Sequence, residues 1–96
     1  MDNIVKFNKP YMFEGNEYTE VDLSGLENLK TTDLIEADKI FMVSGQVAMV
    51  KEMNVGYACI LAAKVSSKPI EFYQSLPARE AIKVKNMVTS FLFAQD

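Results

Sequence analysis

The chain carries no histidine and a single cysteine, Cys59. Histidine is the commonest general base at neutral pH and the commonest metal ligand, so any catalytic or metal site would need other groups. Cys59 lies in the run NVGYACILAAKVS, residues 54 to 66, among small and apolar side chains. A buried thiol in such surroundings behaves as a small hydrophobe rather than a nucleophile. One cysteine cannot close an internal disulfide, which fits a reducing compartment. The acids Glu14, Glu17, Glu20 and Asp22 lack the spacing and the following glutamate of a calcium loop. They read instead as the solvated face of a strand. Asp33 and Glu36 stand three residues apart in what should be the first turn of a helix, where the positive helix end explains them without chemistry. Gly15, Gly25, Gly45 and Gly56 fall into no phosphate-cradling pattern. The expectation is a protein with no catalytic, metal-binding or cofactor-binding residues, and so not an enzyme.

The element that must organise the rest is Asn54 to Ser66. As a helix it is apolar nearly all the way round. Val55, Ala58, Cys59 and Ala62 share a face of small side chains, Tyr57, Ile60, Leu61 and Val65 cover most of the remainder, and only Lys64 needs water. A helix apolar on all sides belongs in the middle of a core. Before it, residues 1 to 23 read as a β-hairpin. Ile4 to Phe7 and Tyr11 to Phe13 are β-prone runs split by Pro10, which marks a strand start or an edge. Glu14-Gly15-Asn16 reads as the turn, with Gly15 and Asn16 suited to positive φ. Glu17 to Leu23 alternates, with Thr19, Val21 and Leu23 inward and Tyr18, Glu20 and Asp22 outward.

A connector follows, in which Leu26 and Leu29 should plug the core. Thr31 or Thr32 is suited to cap a helix from about Thr32 to Val43, carrying the stripe Leu34, Ala37, Phe41 and ending at Gly45. Residues 46 to 53 read as extended or loop. After the central helix, Pro69 and Pro77 suit the first positions of two further helices. The last, Pro77 to Phe93, is cleanly amphipathic. Its core face is Ala81, Val84, Val88, Phe91 and Leu92, and its wet face is Arg79, Lys83, Asn86 and Ser90. The fold class expected is α+β, an N-terminal β-hairpin followed by about four helices packed around a buried central helix. It forms a single domain over 1-96, with 1-23 the hairpin and 32-94 mainly helical.

Net charge is −3, which gives no support for binding a phosphate backbone. The charge is uneven: residues 1 to 38 hold nine acids against three lysines, and residues 39 to 96 hold four acids against seven bases. That dipole can guide head-to-tail self-association, or simply reflect two solvated faces. The N-terminal stretch lacks the basic and apolar regions of a secretory signal, and no apolar run reaches the ~20 residues of a membrane span. A soluble protein with neither nucleic-acid nor membrane partners is expected.

Three stretches together resemble the small tail assembly chaperones of long-tailed bacteriophages and prophages. They are VDLSGLENLKTTDLIEADK (21 to 39), MNVGYACILAAKVSSKPIEFY (53 to 73) and LPAREAIKVKNMVTSFLF (76 to 93). The family is similar in the same order: an acidic connector, a helix with paired alanines, a K-P-I-E-F turn and an L-P-A-R-E-A helix. One departure is Lys30-Thr31-Thr32, where the family often runs directly from leucine to threonine. The resemblance implies a non-structural protein of the host bacterial cytoplasm that binds the tape measure protein while the tail tube forms. It further implies, as in many such phages, a minor frameshift-extended form that recruits the major tail protein, leaving from the C-terminus at Phe91 to Asp96. Many copies per partner imply a homo-oligomer.

The residues named for partner contact are Tyr57, Phe72, Tyr73, Ile82, Phe91 and Phe93. The aromatics could form a groove for a helix anchored at i, i+3, i+4 spacing. Ile82 and Phe93 lie together beside the polar face of the last helix. The plainer reading makes the aromatics core and the other two edge residues. The alternative function is a structural virion component, such as a small tail or head–tail connector protein. A small adaptor unrelated to phage is a third reading.

Overall fold

The computed structural model describes residues 3–45 and 54–93. The expectation of an extended or loop conformation at 46 to 53, and of helix at residue 94, lies outside the described residues.

Strands β1 (Ile4–Phe13) and β2 (Asn16–Asp22) pair antiparallel as a two-stranded sheet. The pair Phe13↔Asn16 leaves Glu14 and Gly15 as a two-residue loop, and both take positive φ, 50° and 82°. Tight hairpins favour this geometry because its twist matches that of the strands. The left-handed positions are therefore Glu14 and Gly15, rather than Gly15 and Asn16 as expected, because Asn16 already belongs to β2.

β1 also runs straight through Pro10. The register steps from Lys6↔Glu20 to Tyr11↔Tyr18, so Phe7, Asn8, Lys9 and Pro10 stand opposite Thr19 alone. Extra residues on one strand bend it and re-aim its side chains. Strict alternation placed Thr19 inward and Tyr18 outward. The bulge reverses both: Thr19 is exposed, and Tyr18 is half-buried with its ring 4.9 Å from that of Phe72. Val21 and Leu23 remain buried as expected.

After β2, Asp22 accepts a hydrogen bond from the Ser24 N–H (2.9 Å), and a short 3-10 turn spans Ser24–Asn28. Leu26 is fully buried and Leu29 packs against the core. Gly25 lies so close to the central helix that a Cβ there would fall 2.8 Å from the Val65 carbonyl oxygen. Helix α1 (Thr31–Val43) follows. Neither threonine caps it. Lys30 is the N-cap residue, and its N–H donates to Asp33 Oδ2 at 2.9 Å, so Asp33 satisfies the helix entry by reaching back one turn. Ala37 and Phe41 are buried and Leu34 packs beside them. Gly45 (φ 84°) closes the helix, donating its N–H to the Met42 carbonyl.

Helix α2 (Val55–Ser66) is capped by the Asn54 side chain, which accepts from the Tyr57 N–H at 3.2 Å. Every residue from Tyr57 to Ala62 is buried. It is contacted by the 3-10 turn, by α1, by α3 (Ile70–Gln74) and by α4 (Ala78–Phe93), which packs along it through Val84 and Val88. The architecture is thus α+β, a hairpin followed by helices around a buried central one. Pro69 and Pro77 act one position earlier than expected. Each stands just before its helix and accepts through its carbonyl, from Phe72 N–H in one case and from Glu80 and Ala81 N–H in the other.

Two contacts fix the hairpin to the helices. Phe72 is the first. The rings of Tyr11, Phe13, Tyr18 and Tyr73 surround it at 4.9 to 5.3 Å between centroids, and the Tyr11 hydroxyl donates to its carbonyl at 2.9 Å. Glu80 is the second. It is 5 % exposed, accepts from the Asn8 N–H at 2.8 Å and pairs with Lys83 at 3.1 Å. The Lys83 ammonium in turn donates to the Lys6 carbonyl and to Asn8 Oδ1. The carboxylate and ammonium on α4 thereby bind β1 at the edge of its bulge, at Lys6 and Asn8.

Two outcomes follow. Ala62, 0 % exposed, has no room or partner for a charge, so Ala62→Asp should cost about 3 kcal/mol or more and leave a molten or insoluble product. A cooperative thermal transition near that of the wild type would show that α2 is not the centre of the core. Burial pushes the Glu80 carboxyl up, but the Asn8 N–H and the Lys83 ammonium outweigh it and hold it below its ordinary value of 4.5. A carboxyl lowered on folding stabilises above that value and loses its contribution as pH falls through the folded one. Glu80→Ala should therefore lose about 2 kcal/mol at neutral pH in urea unfolding, with the gap to wild type closing below pH 4.5.

Candidate functional site

The residues singled out for partner contact separate into two groups. Tyr57, Phe72 and Tyr73 are core side chains, 5 %, 1 % and 1 % exposed, and Tyr73 also borders one of the pockets described below. Tyr57 packs edge-on to Phe41 of α1 at 5.8 Å, and Phe72 is the centre of the aromatic cluster that holds the hairpin. The Tyr73 hydroxyl shares a 2.6 Å hydrogen bond with Ser66 Oγ, and burial raises its pKa to about 12. Phe72 and Tyr73 belong to the short α3, which has few residues between two prolines and packs into the core, and Tyr57 belongs to the buried stretch of α2. Ile82 and Phe93 are exposed on α4, and Phe91 is half-buried against the core.

A different surface shows the shape of a binding site. Helices α1, α2 and α3, with Ala81 of α4, line an apolar groove whose two lobes measure about 300 and 440 Å³. α2 forms the floor through Gly56, Cys59, Ile60 and Ala63. The small size of Gly56, Cys59 and Ala63 makes the depression, and Ile60 stands between its two lobes. α1 forms one wall, from Glu36 and Ala37 through Ile40 to Ser44. α3 and its flanks form the other, with Ile70, Gln74 and Leu76, and Tyr73 behind them. Ile40, Ile60 and Ile70 line both lobes, so the two adjoin across these three side chains. Glu36 lies by Lys64 at one end and Ser44 by Val55 at the other, so α1 and α2 run antiparallel along it.

Of the lining residues, Ile40 is 55 % exposed and Val55 is also exposed, and elsewhere α1 exposes Ile35, Met42 and Val43. At the far end Lys64 of α2 reaches the α1 wall, 2.7 Å from Glu36 Oε2 and 3.6 Å from Asp33 Oδ1. Its hydrogen bond to Glu36 holds the ammonium above its ordinary pKa. The carboxylate pair that spacing assigned to the helix end thus also fixes the α1–α2 distance, which no local pattern announces.

Cys59 lies on the floor, 5 % exposed, and burial pushes its thiol pKa up. Glu14, Glu17, Glu20 and Asp22 are all exposed. Among the described residues no three of histidine, cysteine, aspartate and glutamate gather to hold a metal ion, and no helix is long and apolar enough to cross a membrane. What this arrangement can do chemically is exclude water from an apolar ligand laid along α2. Comparison with protein families, curated proteins and solved structures finds no match.

The groove floor can be probed directly through its thiol. Cys59 should react with a disulfide reagent at least about tenfold more slowly than a free cysteine at the same pH, because it is both desolvated and shielded. Full reactivity should return in urea. Reaction at the free-thiol rate in the folded protein would show that α2 does not hold this face inward.

Proposed function

We propose that this chain is a phage or prophage tail assembly chaperone. On this reading it is a non-catalytic binding protein that holds a helical stretch of the tape measure protein while the tail is built. The observation that carries the proposal is the groove over α2, walled by α1 and α3 and lined by the exposed Ile40 and Val55. Exposed apolar surface of this kind marks an interaction site, and laying an amphipathic helix into such a groove is a recurring mode of recognition. The resemblance of residues 21 to 39, 53 to 73 and 76 to 93 to the tail assembly chaperones supplies the identity of the partner. The setting is the host bacterial cytoplasm.

Coating a long partner takes many copies. The exposed Ile35 and Met42, seven residues apart on α1, offer a strip for contact between neighbouring copies. Where a frameshift-extended form is made, its added segment would bring the major tail protein to the same assembly.

The test is co-expression with the tape measure protein encoded nearby, one of the two being tagged. The tape measure should become soluble and elute with several copies of this chain. Ile40→Glu, which changes an exposed side chain at the groove rim, should leave thermal stability within about 0.5 kcal/mol of wild type and abolish co-elution. A tape measure that stays insoluble, with this chain found instead in purified tails, would favour a structural virion component.

A further inference from the structure

Two exposed surfaces of this chain carry opposite net charge. The first is the outer face of the hairpin. Glu17, Thr19, Glu20 and Asp22 of β2 are exposed there, while Tyr18 and Val21 turn inward. With Glu14 in the turn, the hairpin holds four acids against two cations, Lys6 and Lys9. Lys68 approaches it from the inner side, over the ring of Tyr18. The second surface is the outer face of α4. That helix holds three cations, Arg79, Lys83 and Lys85, against one acid, Glu80, which is buried and bound to Lys83. None of Glu14, Glu17, Glu20, Arg79 and Lys85 forms an ion pair among the described residues.

Each surface also exposes an apolar side chain. Met12, opposite Glu17 in the register, is 59 % exposed, and Ile82, which stands between Arg79 and Lys85 at three-residue spacing, is 50 % exposed. The two charged rows match in length. Arg79 and Lys85 lie about 9 Å apart along the helix axis, and Glu17 and Glu20 about 10 Å apart along the strand. Copies of this chain cannot pair like face to like face, since acid would meet acid on the hairpin and cation would meet cation on α4. Unlike faces attract. Within one chain they stand apart, because α4 is bound to β1 at Asn8 and Lys6 and β1 lies between it and β2. We propose that copies of this chain associate through these unlike faces, Glu17, Glu20 and Met12 of one copy set against Arg79, Ile82 and Lys85 of the next. This contact involves only copies of this chain and stands whether or not a tape measure protein is the partner.

Paired charge reversal tests this. Sedimentation velocity of the wild type should show association that grows with concentration at low salt and falls away as salt rises. Glu17→Lys with Glu20→Lys, or Arg79→Glu with Lys85→Glu, should each weaken that association at least about tenfold. None of the four side chains makes an ion pair within the chain, so far-ultraviolet circular dichroism should stay that of the wild type. Mixing the two doubly substituted chains should restore association, because every contact between the two kinds of chain again joins acid to cation. A wild type that stays monomeric at low salt, association that either reversal leaves intact, or reversed chains that remain apart when mixed would overturn the proposal. Association lost in Met42→Glu and kept in both reversals would put the contact on α1 and overturn it as well.

Discussion

From Tyr57 to Ala62 every residue of the central helix is buried, Cys59 and Ile60 at the floor of the groove included. A helix turns once in about 3.6 residues, so this run closes the full circumference and needs cover from every direction. That demand explains the otherwise uneven set of elements around it. α4 covers one side with Val84 and Val88, and α1 a second with Ala37 and Phe41. The 3-10 turn covers a third, approaching so closely that only glycine fits at position 25. α3 closes the end. The groove exists because its stretch of floor, at Gly56, Cys59 and Ala63, is too small to reach the side chains of the walls.

The hairpin is the one part that does not take its place from α2. It is held by a ring cluster on Phe72 and by the Glu80–Lys83 pair on α4. A two-stranded sheet is marginal alone, and burying a ring such as Phe72 contributes about 2 to 3 kcal/mol. The polar pair does a different task. It holds Lys6 and Asn8 of β1, at the edge of the bulge, against α4.

What could be read from the chain was what short-range periodicity encodes. The all-round apolarity of α2, the two-sided pattern of α4, the stripe on α1 and the glycine that ends it were all legible because each depends on residues within a few positions. Tyr18 was not, because a bulge in the facing strand changed which way it points. Helix entries were misplaced by a residue, since Asp33 and the carbonyls of Pro69 and Pro77 did what threonine hydroxyls and proline rings were expected to do. Tyr57, Phe72 and Tyr73 carry the residue types of an interface, yet whether an aromatic ring faces in or out depends on elements distant in sequence. The groove was illegible for the same reason: its walls come from residues 36 to 44 and 70 to 76, joined only by the fold.

The order of elements along the chain has a consequence for synthesis. α2 emerges from the ribosome before α4, the helix that packs along it. Until Val84 and Val88 have cleared the exit tunnel, one flank of the most apolar helix in the protein stands open to water and to other nascent chains. On a polysome, where neighbouring copies expose the same flank at once, this interval is when wrong pairings between copies can form. The amphipathic pattern of α4 shortens that exposure, since a strongly two-sided helix can dock as soon as it leaves the tunnel.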